Sequence, residues 1–168
     1  MSARSTLFRL AAALTLAACA KPAEQAGMAA PAVDSAAVVA AIGDFWQRWT
    51  TADTSNNLDA ALAMIADSAR IDIRGMAPIM GRAGWKAVAE PMMKTTKTTS
   101  LMVMPDETVP VTNELVYQSG SYMEGTTTGG KRMMEHGRYA TAIRKEADGQ
   151  WRMSYIMVFA DSTLPVKK

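Results

Sequence analysis

A chain of 168 residues with 49% hydrophobic side chains can bury the core of one domain and still leave residues for a leader and a tether. Its net charge of +2 comes entirely from Arg4 and Arg9, so the rest of the chain is balanced and offers no electrostatic footprint for nucleic acid. The single cysteine excludes an intrachain disulfide.

Residues 1–18 read as an export signal. Arg4 and Arg9 form a positive region, and Leu10 to Leu16 form an apolar run too short to cross a membrane. Leu16-Ala17-Ala18-Cys19 resembles the bacterial lipobox. That resemblance implies a lipid on the Cys19 thiol and a membrane-anchored protein facing the periplasm. Ala20 stands where an aspartate is associated with inner-membrane retention, so the expected destination in a Gram-negative host is the outer membrane. Nothing after Cys19 is long and apolar enough to span a bilayer. Residues 19–34, rich in Ala, Pro and Gly, read as a flexible tether.

The domain is expected over 35–164. Asp34 or Ser35 can cap a helix whose stripe is Val38, Val39, Ile42, Phe45, Trp46 and Trp49, ending near Ala52. Asn57 can cap a second, shorter helix with Leu58, Ala61, Leu62 and Ile65 on its buried face. From Ala69, Ile71 and Ile73 alternate with Arg70, Asp72 and Arg74 as in a strand. Pro78-Ile79-Met80 is a short extended piece, and a third helix runs from about Ala83 to Glu90, where Pro91 disfavours helical geometry. Four strands follow, near 97–104, 114–123, 132–145 and 150–160, with glycine-rich text at 125–130 and a turn at Glu146–Gly149. Helices first and long strands after them predict an α+β fold with an antiparallel sheet.

Three pieces of the chain resemble the SnoaL-like, ketosteroid-isomerase-like domains of the nuclear transport factor 2-like superfamily. They are Asp67-Ser68-Ala69, Pro78-Ile79-Met80-Gly81-Arg82, and Gly137-Arg138-Tyr139 with Arg144-Lys145 and Asp148-Gly149-Gln150-Trp151-Arg152-Met153. The resemblance implies a cone: a curved antiparallel sheet on three helices, enclosing a pocket for a small apolar or amphipathic molecule. Some members perform acid–base chemistry there, others have no known activity, and many pair into homodimers through the sheet. Trp151 would anchor sheet to helices.

A pocket enzyme of this kind needs a base and an oxyanion donor. The candidates are His136, the only histidine, Asp72, and the tyrosines Tyr117, Tyr122, Tyr139 and Tyr155. Strand parity leaves two alternatives. Either His136 and Arg138 face the pocket, or Glu135 and Tyr139 do. Relatives carry an acid five residues beyond the hairpin tryptophan, and here that position is Ile156, which favours an apolar pocket over shared catalysis. Expected pocket residues are Trp46, Trp85, Tyr117, Tyr139, Met102 and Ile156. Fourteen methionines suit an adaptable apolar surface. Met133 and Met134 are adjacent, so in a strand they point to opposite faces and cannot both join His136 around one ion. Neither a metal centre nor a cofactor is expected. The leading expectation is a lipid-anchored binding module. The alternatives are an isomerase-like or cyclase-like enzyme using His136 or Asp72, and a structural domain whose cone is filled.

Overall fold

Asp34 starts the domain by accepting the Ala37 N–H at 3.1 Å on its carboxylate, which caps α1 (Ser35–Thr54). The computed structural model describes residues 32–166, so the leader, Cys19 and most of the tether lie outside the described residues. Val38, Ile42, Phe45 and Trp46 form the buried stripe of α1. The helix runs two residues past Ala52, and the Ser55 hydroxyl satisfies the Thr51 carbonyl at 2.6 Å. Asn57 caps α2 (Leu58–Ala63), its side-chain oxygen accepting from Ala60 N–H at 3.0 Å. Ile65 is buried as expected, but as the first residue of β1 (Ile65–Ile73) rather than on α2.

β2 (Ile79–Met80) leads into α3 (Gly81–Thr95). Gly81 has φ +71, and a Cβ there would sit 2.4 Å from the Asp67 carbonyl oxygen, so only glycine fits the strand-to-helix junction. α3 extends well beyond Glu90, with Pro91 inside it. Proline removes one N–H from the ladder. The carbonyl it would have served belongs to Ala87, and both residues are exposed, so that carbonyl is open to solvent.

β3 (Thr96–Thr112), β4 (Leu115–Thr128), β5 (Lys131–Lys145) and β6 (Trp151–Pro165) are longer than periodicity predicted. Gly125 lies within β4, and Gly129-Gly130 alone make the turn into β5. β3 absorbs Pro105 and Pro110 through register shifts, which its edge position allows. Among the described residues the sheet has six strands in the order β2-β1-β6-β5-β4-β3. All pairs are antiparallel except β1 with β6, which run parallel through Ile71–Ile156 and Ile73–Val158. The sheet curls without closing. α1 packs over β3 and α3 over β1, and the core lies between helices and sheet. Trp151 opens β6 and is buried in that core.

Candidate functional site

Alternation on β5 resolves the parity. Gly137 and Tyr139 are buried and Glu135 half-buried, whereas His136, Arg138 and Ala140 are exposed. The inward row of β4 is Val116, Gln118, Gly120, Tyr122 and Glu124. Register sets Tyr122 beside Gly137 and Glu124 beside Glu135. A Cβ on Gly137 would fall 2.5 Å from the Tyr122 ring, so glycine lets the phenol lie flat across β5. The Tyr122 hydroxyl then donates to Glu135 Oε1 at 2.7 Å, and Thr163 donates to Oε2 at 2.9 Å. Burial first, and the bond to Glu135 second, push the Tyr122 phenol well above its ordinary range.

Deeper in the curl, Gln118 joins three elements. Its Oε1 accepts from the Trp46 indole at 2.5 Å and from the Tyr139 hydroxyl at 2.9 Å, and its Nε2 donates to Thr108 Oγ1 at 2.7 Å. The Trp46 and Tyr139 rings meet edge-on, centroids 5.3 Å apart. Own side chains therefore fill this part of the interior.

Two half-buried carboxyl groups lie near the end of α1. Glu124 is pushed up to about 7, chiefly by desolvation, then by the charge of Asp53; Glu135 adds to this and the Thr98 hydrogen bond opposes it. Thr98 Oγ1 donates to Glu124 Oε1 at 3.1 Å. Asp53 is raised by burial, with its own bond to Thr98 working against the shift. A carboxyl poised near neutrality can give or take a proton under mild conditions.

Between α1, α3, β1 and β6 lies a cavity of about 80 Å³. Trp49, Trp85, Ile71, Ile73, Ile156 and Val158 give it hydrocarbon and aromatic walls. A larger groove, about 930 Å³, lies between α1, α2 and the β5–β6 turn, but it is an open trough lined by Gln47, Arg48, Ser55 and Arg152. The small apolar cavity, under the helices on the inward face of the sheet, is the better candidate site.

Trp85 and Ile156 line the cavity, and Trp46 and Tyr139 are buried inward residues. Four other expected site residues stand elsewhere. Tyr117 and Met102 are 53% and 57% exposed on the outward face, because odd β4 residues point there and Met102 is paired with Met123 of that row. Asp72 also faces outward, opposite Met157, and accepts the Arg70 guanidinium at 2.9 Å. His136 is exposed next to Met123. Asp53, Gln118 and Glu124 join the inward groups without being among the expected site residues. Asp53 follows Trp49 by one helical turn and so continues the buried stripe, which was the available signal. Among the described residues no three histidine, cysteine, aspartate or glutamate side chains converge as a metal centre, and no helix is long and apolar enough to cross a membrane.

The sequence pattern of the SnoaL-like domain family matches residues 34–156. No curated protein sequence matches the chain. Among solved structures, a ketosteroid isomerase-like protein from Erwinia carotovora atroseptica aligns with a TM-score of 0.63 at 17% identity, over 76% of this chain and 95% of its own. A conserved protein from Planctomyces limnophilus aligns with a TM-score of 0.67 at 17% identity, over 78% and 99%. A hexachlorocyclohexane dehydrochlorinase from Novosphingobium barchaimii aligns with a TM-score of 0.63 at 15% identity, over 78% and 91%. At these identities the likeness is one of fold.

Proposed function

The chain belongs to the SnoaL-like domain family, and from that premise we propose that it holds a small apolar molecule, or the apolar end of an amphipathic one, between α1, α3 and the inward face of β1 and β6. The hydrocarbon-walled cavity carries this reading, with Ile71 and Ile73 facing Ile156 and Val158 across the parallel strand pair. About 80 Å³ takes only a few carbon atoms, so a larger guest displaces Trp49 or Trp85, which are only partly buried. The test is isothermal titration with primary alcohols of increasing chain length. Affinity should rise with length in the wild type and collapse in Ile156→Phe, which fills the space. Equal affinity in the two proteins would overturn the reading.

An acid–base enzyme is the second reading, and the specific observation favouring it is Glu124, a half-buried carboxyl pushed up to about 7 by desolvation and the charge of Asp53. A ketosteroid and hexachlorocyclohexane are the probes suggested by the fold neighbours. Turnover by the wild type that disappears in Glu124→Gln would replace binding by catalysis as the function.

The location follows from the leader. We propose export and anchoring through a lipid on Cys19, on the strength of Leu16-Ala17-Ala18-Cys19. Cys19→Ala should lose labelled palmitate and leave the membrane fraction. Continued labelling of that variant would refute the anchor.

A further inference from the structure

The outward face of the sheet brings together side chains of a different chemistry. Register places Met102 of β3 opposite Met123 of β4, and Met123 opposite His136 of β5. Directly opposed residues of antiparallel strands project from the same face, with Cβ atoms about 4.5–5.5 Å apart. Met134 lies two residues from His136 and so shares that face. Its Cε sits 3.6 Å from where a Cβ on Gly125 would be, so its thioether is turned over β4, the strand that carries Met123. His136 and Met102 are exposed, and Met123 and Met134 are half-buried. Three thioethers and one imidazole therefore gather on three neighbouring strands. Adjacent methionines are not needed: Met133 faces the other way, and the additional sulfurs come from β3 and β4.

The span is closable. Met102 and His136 are two strand spacings apart, about 10 Å, with Met123 between them. Methionine is unbranched, with three rotatable bonds, so sulfurs from either side can converge over the middle strand. Carboxylates are turned away from this spot or already paired, and the oxygens beside it are the neutral hydroxyls of Thr99, Ser100 and Ser162. Glu124 and Glu135, the chain neighbours of Met123 and His136, project through the inward face. Asp161, on the outward side, is held by Arg138 through bonds of 2.9 and 2.8 Å. A thioether and imidazole set without carboxylates selects a soft cation over magnesium, calcium or manganese.

We propose that Met102, Met123, Met134 and His136 form a binding site for a soft monovalent cation, Cu(I), on the outward face of the sheet. The site is independent of the apolar cavity and of the proposed function.

The experiment uses the full chain carrying Cys19→Ser, which removes the only thiol. Cu(I), supplied anaerobically as its acetonitrile complex, is titrated against a chromophoric chelator. One equivalent should be retained, with sulfur scattering in the X-ray absorption spectrum. Met123→Leu and His136→Ala should each weaken retention roughly tenfold or more. Met76→Leu and Met80→Leu, at exposed methionines elsewhere, should leave it unchanged. Failure to retain Cu(I), or equal losses at Met76 and Met123, would overturn the site. A second readout needs no ligand variant: Ag(I) should shift the methyl signals of Met102, Met123 and Met134 but not those of Met76 and Met80. The opposite pattern would overturn it too.

Discussion

The Trp46 indole N–H and the Gln118 side-chain oxygen meet at 2.5 Å, tying α1 to β4 through a glutamine that is only 5% exposed. The same oxygen accepts the Tyr139 hydroxyl. Gln118→Ala strands two buried donors at once, and each costs about 1–3 kcal/mol when left without a partner. Urea denaturation should show a loss in that range or above it. A loss under 0.5 kcal/mol would mean that water replaces the glutamine, and that the interior is wetter than its packing indicates.

Glycine at 137 is required by the phenol lying over it. In Gly137→Ala the new methyl meets the Tyr122 ring and the Phe159 carbonyl, and such overpacking costs about 1–3 kcal/mol. Adding Tyr122→Leu, which removes the ring, should recover part of that loss. Identical melting temperatures for the single and double variants would place the strain elsewhere.

Stability should fall as pH rises through the titration range of Glu124. Its folded value is raised from 4.5 to about 7, so between these limits the native state holds more protons than the unfolded one. The penalty is absent below pH 4.5 and complete above pH 7, on the order of 3 kcal/mol from this group alone. Glu124→Gln should therefore stabilise the domain at pH 8 and flatten its profile from pH 5 to 7. Asp53→Asn should lower the Glu124 titration midpoint, because the charge of Asp53 is the second cause of the shift. A carbon-13 titration of the Glu124 carboxyl that is unmoved by Asp53→Asn would show that burial acts alone.

Asp72 and Arg70 form a pair on the outward face, where solvent screens their attraction and little stability is gained from it. Asp72→Asn should leave both the melting temperature and alcohol binding close to wild type. A loss of binding in this variant would put the ligand on the outer face instead of inside the curl.

Local patterns made much of the architecture legible. The stripe from Val38 to Trp49 is a helix, Asp34 and Asn57 are caps, and Trp151 is a core anchor, because each depends on spacing or on a single turn of chain. Boundaries were harder. Pro91 forbids a helix only where its missing bond would be buried, and Ala87 is exposed. The site was half legible for a different reason. Whether His136 or Glu135 looks inward depends on which face of the sheet α1 covers, and no property of β5 alone carries that information. Glu124 is perturbed first by burial in the folded curl and then by Asp53, which lies 71 positions earlier in the chain at the end of a helix longer than its apolar stripe, and neither cause is visible in β4 alone.

β6 is the last strand in the sequence, yet it sits between β1 and β5. A ribosome therefore delivers the middle of the sheet last. Until residues 151–165 emerge, β1 has no long neighbour, and the β3–β4–β5 meander leaves one edge of β5 unpaired. Such a chain stays open and vulnerable through nearly all of its synthesis, and it closes in a single late step. Met153–Val158 of β6, which pair with β1 on one side and β5 on the other, are the keystone and not a trailing end.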